Sequence, residues 1–466
     1  TMDLSAAKLY NSQRMNRAIS RKKFYFWKII LEGPGKKWEP NRRTLKDLGM
    51  VEEPYGKKTL FSLFDMTESD GGKRGLEKWL VHPLSDWKAL HERQEAIRYP
   101  DFPEIRICRE ELDFIEFYLS QGDRPTRVSY LESAFSYIFR HFRATPERYV
   151  IRRGTKLLEN VLLELKTFAD HVTALSPRLI RNIAATISEI YQATELGKMV
   201  DSCGQEDSFY RTDRLDYIFR YRRNHTIAAL LSIVYQLDAI RTVHRTAVTK
   251  GWCFPSFTND SKFMLCNFYH PQVKDAVAND WEMENGNICI FTGSNMAGKS
   301  TTLKAIASAV WLAHAGFPVP ASSMVCPMFD GIFTSINLPD SLRDGRSYFY
   351  AEVLRVKEVL EQINKGHHCF VLFDELFRGT NARDAFEASV AVAEVLKAKA
   401  YSRFLISTHI IELARKLDGD DACCFYYLES AIVDDELICN HKVKPGISES
   451  RVGYWIVKKE LAGFEK

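Results

Sequence analysis

At 466 residues, with 45% hydrophobic and 27% charged residues, the chain has ample apolar material for packed cores and is neither disordered nor fibrous. The length excludes a single small domain and leaves room for about two to four. Sixty-four Lys+Arg against 60 Asp+Glu give a formal net charge of only +4, so nucleic-acid binding must be argued from local patches and not from overall charge.

The 10 cysteines are scattered singly apart from the Cys423-Cys424 pair, and no Cys/His group has zinc-ligand spacing. This usage fits a reducing, cytoplasmic compartment. The apolar runs near the N-terminus, Phe24 to Trp27 and Ile29 to Leu31, fall far short of the roughly 18 to 20 residues that span a bilayer. Neither a membrane segment nor a signal peptide is expected.

Residues 1 to 50 hold twelve Lys/Arg against four Asp/Glu. Arg21-Lys22-Lys23 and Lys36-Lys37 are interleaved with Phe24, Tyr25, Phe26, Trp27 and Trp38, a mixture able to follow a phosphate backbone and stack on bases, although a solvated extension reads the same way. Residues 1–44 are taken as a basic N-terminal extension, with Gly33-Pro34-Gly35 as its linker. Residues 45–250 are poor in glycine and carry apolar residues at helical spacing, as in Leu157-Leu158-Val161-Leu162-Leu165 and Ile227-Leu230-Leu231-Val234-Leu237, which predicts a mostly α-helical domain of several long helices. Residues 251–466 alternate apolar strands with helices: Ile288 to Phe291, a helix from Lys299, Cys369 to Phe373, a further helix, then Phe404 to Ile406. Such alternation predicts an α/β domain with buried parallel strands and ligand chemistry at their C-terminal ends.

The strand at Ile288 leads into Gly293-Ser294-Asn295-Met296-Ala297-Gly298-Lys299-Ser300, which matches the phosphate-binding pattern G-x-x-x-x-G-K-[ST] between strand and helix. Glycines there let backbone N–H groups wrap phosphates; Lys299 reaches the β and γ oxygens and the Ser300 hydroxyl can ligate Mg²⁺. About 75 residues downstream, Leu372-Phe373-Asp374-Glu375 ends a strand in paired carboxylates with Walker B character. Asp374 suits the Mg²⁺ shell, and Glu375 suits orienting or deprotonating the attacking water, since phosphoryl transfer needs positioning and charge neutralisation. Phe404 to His409 ends another strand in Thr408-His409, which can present an imidazole to the γ-phosphate or the water, and Arg378-Gly379-Thr380-Asn381 forms a polar loop near the same strand ends.

Taken together, Gly293 to Thr301, Asp344-Gly345-Arg346-Ser347-Tyr348-Phe349 with Glu352, Asp374 to Asn381 and Ser407-Thr408-His409 resemble the ATPase domain of the MutS DNA mismatch-repair family. Phe268-Tyr269-His270-Pro271 with Ala278-Asn279-Asp280, Leu60 to Asp65, and Gly75 to Asp86 with Arg93 extend the resemblance to roughly residues 45 to 463, the helical part corresponding to the family's lever/core domain. The resemblance implies an ABC-like P-loop NTPase fold, ATP and Mg²⁺ as ligands, DNA as a partner and a homodimer formed through the ATPase domains. It also implies that Asn295 helps bind the γ-phosphate, that Ser347 acts on the partner's nucleotide, that His441 packs against adenine, and that DNA held between lever helices regulates the ATPase.

Several positions depart from the family pattern. Ser294 and Ala297 stand where Pro and Gly are usual, Tyr348 stands where Thr is usual, and Ala276 falls near the place of an adenine-stacking aromatic, so base binding is expected to be differently built. A helical domain of about 200 residues suggests a trimmed or absent DNA clamp, and a short form without the mismatch-reading domain or the C-terminal extension is expected. Phosphate contact within the helical domain falls to the arginines of Arg124 to Arg153 and to Arg211 to Arg223 with Tyr210, Tyr217, Phe219 and Tyr221, whose bland reading is charged faces of packed helices. The sequence thus supports a DNA-repair ATPase, with a binder of junction or recombination intermediates and a nucleotide-switched protein scaffold as alternatives. A transporter-type ATPase would carry Leu-Ser-Gly-Gly-Gln, which is absent.

Overall fold

The three apolar runs anticipated as buried strands are neighbours in one sheet. In the computed structural model Ile288–Thr292 (β4), Cys369–Asp374 (β7) and Arg403–Ser407 (β8) are buried at every position except Asp374. The structure describes residues 38, 41–51, 59–101, 107–121, 146–201, 209–294, 297–336, 348–433, 436–448, 455, 457, 459 and 461. Gly331–Ser335 (β6), Cys423–Val433 (β9) and Glu436–Pro445 (β10) complete a six-stranded sheet in the order β10-β9-β4-β8-β7-β6. All pairings are parallel except the β9–β10 ribbon. Parallel neighbours need crossovers, which the helices Lys299–Ala315, Tyr348–Asn364, Ala382–Lys397 and Ile411–Leu417 supply. The apolar faces of the last three meet Ile288, Ile290, Val371, Phe373, Phe404 and Ile406 in one core. A second sheet of four strands has Ser256–Thr258 (β1), Ser323–Pro327 (β5), Phe263–Phe268 (β2) and Asn279–Met283 (β3) in that order.

The described residues form two compact units that interleave along the chain. One holds residues 65–78 and 92–244; the other holds the described residues up to 64, then 79–91, and those from 245 onward. Trp38 belongs to the second unit. Only 4% exposed, it donates from its indole to Phe329 O at 3.0 Å and meets Trp311 edge-on at 5.8 Å, so it is not free to stack on a base. The helix Arg42–Asp47 lies along β6, the outermost strand. Thr334 donates through its N–H to the Thr44 hydroxyl at 3.2 Å and through its hydroxyl to Asp47 at 2.7 Å, and the Ile336 N–H also reaches Asp47 at 3.2 Å. The rest of the basic extension lies outside the described residues.

The first unit is helical, as its sequence periodicity predicts. Pro146–His171 opens on the proline that fits a first helical turn and buries Leu158, Val161, Leu162, Leu165 and Phe168. Gly154 lets it cross Arg109–Ser120 closely, since a Cβ there would lie 2.3 Å from the Tyr118 ring. Tyr118 donates to Asp216 at 2.8 Å, and Arg220 clasps the same carboxylate from the π-helical turn Ile218–Arg222. Arg211 pairs with Glu159, and Arg222 and Arg223 pair with Glu195. These arginines, read as candidates for phosphate contact, are therefore held by carboxylates, and Arg220 is buried outright. Arg124 to Arg143 of the other candidate stretch lie outside the described residues. The expectation that no apolar segment reaches membrane-spanning length has one exception among the described residues: Asn224–Lys250 passes by length and composition, but 72% of its apolar window is buried within the protein, as in a core helix.

Candidate functional site: a glycine-hinged loop facing two strand-end carboxylates

At the C-terminal end of β4 the chain turns through Gly293, at φ 136°, and enters the helix Lys299–Ala315 through Gly298, at φ 101°. Both lie in backbone regions that side chains rarely occupy, and a Cβ on either would come within 3.2 Å of Leu428 O or of His441 Nδ1. The glycine spacing read from the sequence thus answers to a close approach at each end of the loop. Lys299 is 2% exposed, and its Nζ donates to Gly293 O at 2.7 Å and Ser294 O at 3.1 Å. Burial lowers its pKa, opposed by the charges of Glu375 and Asp374. Ser300 is half-buried on the first turn, Thr301 is exposed, and Thr302 ties its hydroxyl to Gly298 O at 3.1 Å. Ser294 keeps a buried hydroxyl with no hydrogen-bond partner among the described residues. Asn295, Met296 and Ser347 lie outside the described residues.

Two strands away, β7 delivers Asp374 and then Glu375 to the same sheet end, and Glu375 Oε1 lies 4.0 Å from Lys299 Nζ. Glu375 adopts φ 54° and Phe377 φ 63°, two left-handed non-glycine residues in a single turn. Ser407, the register partner of Asp374 on β8, holds this turn. Its hydroxyl donates to Asp374 Oδ1, and its Oγ and carbonyl oxygen each accept the Glu375 N–H at 3.1 Å. Arg378 reaches back to Glu375 Oε2 at 3.3 Å, while Asn381 caps Ala382–Lys397 by accepting the Asp384 N–H at 2.9 Å. Within the predicted Arg378 to Asn381 loop, one polar side chain braces Glu375 and another starts a helix. The sequence marks Ser407 only as part of the Ser407-Thr408-His409 stretch, with no role of its own; strand register shows what it does.

His409 follows at the end of β8 with an exposed side chain, while the Thr408 N–H donates to Phe291 O at 3.0 Å and fixes this end of β8 against β4. His441 arrives from the far edge. The β9–β10 register shifts between Cys439 and Val443, His441 adopts φ 54° there, and its Nδ1–H donates to Ala297 O at 2.9 Å. Asn279 pins this bulge by donating to His441 O at 3.0 Å and accepting the Val443 N–H at 2.8 Å. The structure thus gathers Gly293, Ser294, Ala297, Gly298, Lys299, Ser300, Asp374, Glu375, His409 and His441 at one end of the sheet or against the loop between β4 and the helix Lys299–Ala315.

A buried ammonium inside a glycine-hinged loop at a helix N-terminus suits a phosphate chain. Among the described residues no group of three His, Cys, Asp or Glu side chains is positioned to hold a metal ion. A divalent ion here would draw on Asp374, the Ser300 hydroxyl and phosphate oxygens, a donor set that suits Mg²⁺.

The family model for MutS domain V matches residues 289–465, and that for MutS domain III matches residues 43–114. The DNA mismatch repair protein MutS of Pseudothermotoga lettingae is 32% identical over 235 residues, which cover 49% of this chain and 28% of that protein. That of Staphylococcus saprophyticus subsp. saprophyticus is 32% identical over 234 residues, 48% of this chain and 26% of its own length. The Leuconostoc citreum protein of the same name is 32% identical over 271 residues, 55% and 31% of the two chains. The chain thus covers under a third of the length of these curated relatives.

Proposed function

This chain belongs to the MutS family, and from that premise we propose that it is a Mg²⁺-dependent ATPase that binds DNA and couples ATP binding and hydrolysis to opening and closing of a DNA-binding homodimer in DNA repair. The observation that carries the reading is the buried Lys299 ammonium, held inside the Gly293–Gly298 loop and 4.0 Å from Glu375. In this reading the loop from Gly293 to Thr301 wraps the phosphates of ATP, and Lys299 neutralises the β and γ oxygens. Ser300 and Asp374 hold Mg²⁺, which when bound draws off the negative charge developing in phosphoryl transfer. Glu375 orients the attacking water or takes its proton, and exposed His409 faces the γ-phosphate or that water. Asn295 contacts the γ-phosphate, His441 borders adenine, and Ser347 reaches the partner's nucleotide. Residues 45–250 serve as lever/core and 251–466 as the ATPase domain. Nine free cysteines among the described residues suit the cytoplasm.

ATP turnover by the wild type and by Glu375→Ala tests the chemistry; a variant with unchanged turnover would sink the assignment. Binding to homoduplex, mismatched and junction DNA, with and without ATP and across salt concentrations, separates a mismatch reader from a junction binder. The pairing of Arg211, Arg220, Arg222 and Arg223 with carboxylates favours one second reading, a nucleotide-switched protein scaffold. Intact ATP binding without any salt-dependent DNA affinity would select it.

A further inference from the structure

The turn after β7 has a second support, on the helix Tyr348–Asn364, that the site described above does not include. Glu352 is 2% exposed there, and its carboxylate faces the Phe377 backbone N–H, which favours its charged form. Its Oε2 is buried with no hydrogen-bond partner among the described residues. One turn before it, Phe349 packs on the Phe377 ring with centroids 5.1 Å apart, so the helix grips Phe377 through both backbone and side chain. Left-handed non-glycine residues persist only where their surroundings hold them. Ser407 holds the N–H of Glu375, and the Glu352 carboxylate faces the N–H of Phe377 two residues on.

We propose that Glu352 is a positioning residue for ATP hydrolysis: it holds the 375–377 turn in its left-handed conformation and so keeps the Glu375 carboxylate aimed at the site beside Lys299. This rests on the ATPase reading of the site. The chemistry of the position argues against mere core filling. A buried carboxylate with one oxygen unpartnered is a poor way to stabilise a helix face, and an apolar residue of similar volume would cost less desolvation. Burial pushes the carboxyl up to about 7 even though the Phe377 N–H and the charges of Arg378 and Arg43 pull the other way. The group is therefore kept at a cost in folding stability, and the backbone N–H it faces belongs to the turn that carries Glu375.

The test uses the full chain and four readouts: thermal midpoint, affinity for a fluorescent ATP analogue, KM and kcat. Glu352→Leu, which fills the space without an acceptor, is expected to fold at least as stably as wild type and to bind and half-saturate with ATP within about twofold, while kcat falls about tenfold to a hundredfold, the usual cost of misplacing a reacting group. Glu352→Gln keeps an acceptor for the Phe377 N–H and should retain kcat within about threefold of wild type. Unchanged kcat in Glu352→Leu, with the wild type turning over ATP, overturns the positioning role alone. Parallel loss of stability and ATP binding in both variants also overturns it, in favour of a structural role. A wild type that neither binds nor hydrolyses ATP overturns the ATPase reading and this proposal together.

Discussion

The Lys299 ammonium lies 4.0 Å from the Glu375 carboxylate while bonded to two carbonyl oxygens of its own loop, so a cation at a helix start and an anion at a strand end stand together before any ligand arrives. Phosphate oxygens would compete for the ammonium and leave Glu375 to act on water. Removing either group should therefore produce opposite defects. Glu375→Gln is expected to bind ATP normally and lose about a hundredfold or more in kcat. Lys299→Ala should weaken nucleotide binding itself by about tenfold or more. Equilibrium binding beside steady-state turnover separates the two; equal loss of binding in both variants would contradict the division of labour.

Ser407 bridges the two carboxylate residues, donating to Asp374 and accepting from the Glu375 N–H. Ser407→Ala is expected to cost about 1–3 kcal/mol of stability, because buried partners lose a hydrogen bond they cannot replace. It should also raise the Mg²⁺ concentration needed for half-maximal ATPase activity, since Asp374 would no longer be oriented. A Mg²⁺ titration that coincides with wild type would show that the hydroxyl serves folding alone.

Acid should weaken the second unit through His314 and His270. His314 is fully buried; its Nδ1–H donates to Val310 O at 2.9 Å and its Nε2 accepts the Phe329 N–H at 3.0 Å, an arrangement that only the neutral ring can make. Burial lowers its pKa to about 4, and burial with Lys304 nearby does the same for His270. Between the ordinary value near 6.5 and about 4, the unfolded chain binds these protons and the folded chain does not, so stability is lost as pH falls through that window. Each histidine contributes about a tenfold change in folding equilibrium per pH unit there. Chemical denaturation at several pH values measures the slope, and His314→Gln should flatten it. A slope unchanged by that substitution would remove His314 from the account.

In the first unit, Gly154→Ala forces a methyl group against Tyr118 and should destabilise by about 1–3 kcal/mol. Asp216→Asn strips the buried Arg220 of its counter-charge and should cost about 3–5 kcal/mol, more than the pair itself contributes. Urea midpoints for the two variants check both values, and an Asp216→Asn protein as stable as wild type would mean that Arg220 reaches water.

What could be read from the sequence was what lies close together along it. The G-x-x-x-x-G-K-S spacing places Lys299 at a helix start, and the unbroken apolar runs at Ile288, Cys369 and Phe404 mark buried parallel strands, because both patterns are local consequences of backbone geometry. Nonlocal relations stayed hidden. Nothing in the sequence around Ser407 says that it stands opposite Asp374, since strand order decides that. The arginines at 211, 220, 222 and 223 look like a phosphate-binding stretch until Glu159, Asp216 and Glu195 are seen opposite them. Trp38, grouped with the aromatics of a basic arm, is a core residue because Trp311 and Phe329, far along the chain, supply its pocket.

The helix Arg42–Asp47 along β6 has a practical consequence for anyone cutting the gene into pieces. A fragment beginning at residue 251 would leave the outer side of β6 without the Thr44 and Asp47 partners that now occupy it. It would also lack Leu80, whose carbonyl receives the Trp311 indole N–H at 2.7 Å. Such a bare margin invites other chains to add to it, and the expected product is aggregate. A fragment of the second unit that stays monomeric has to bring residues 38–64 and 79–91 with it, even though they precede the rest of that unit by more than 150 positions.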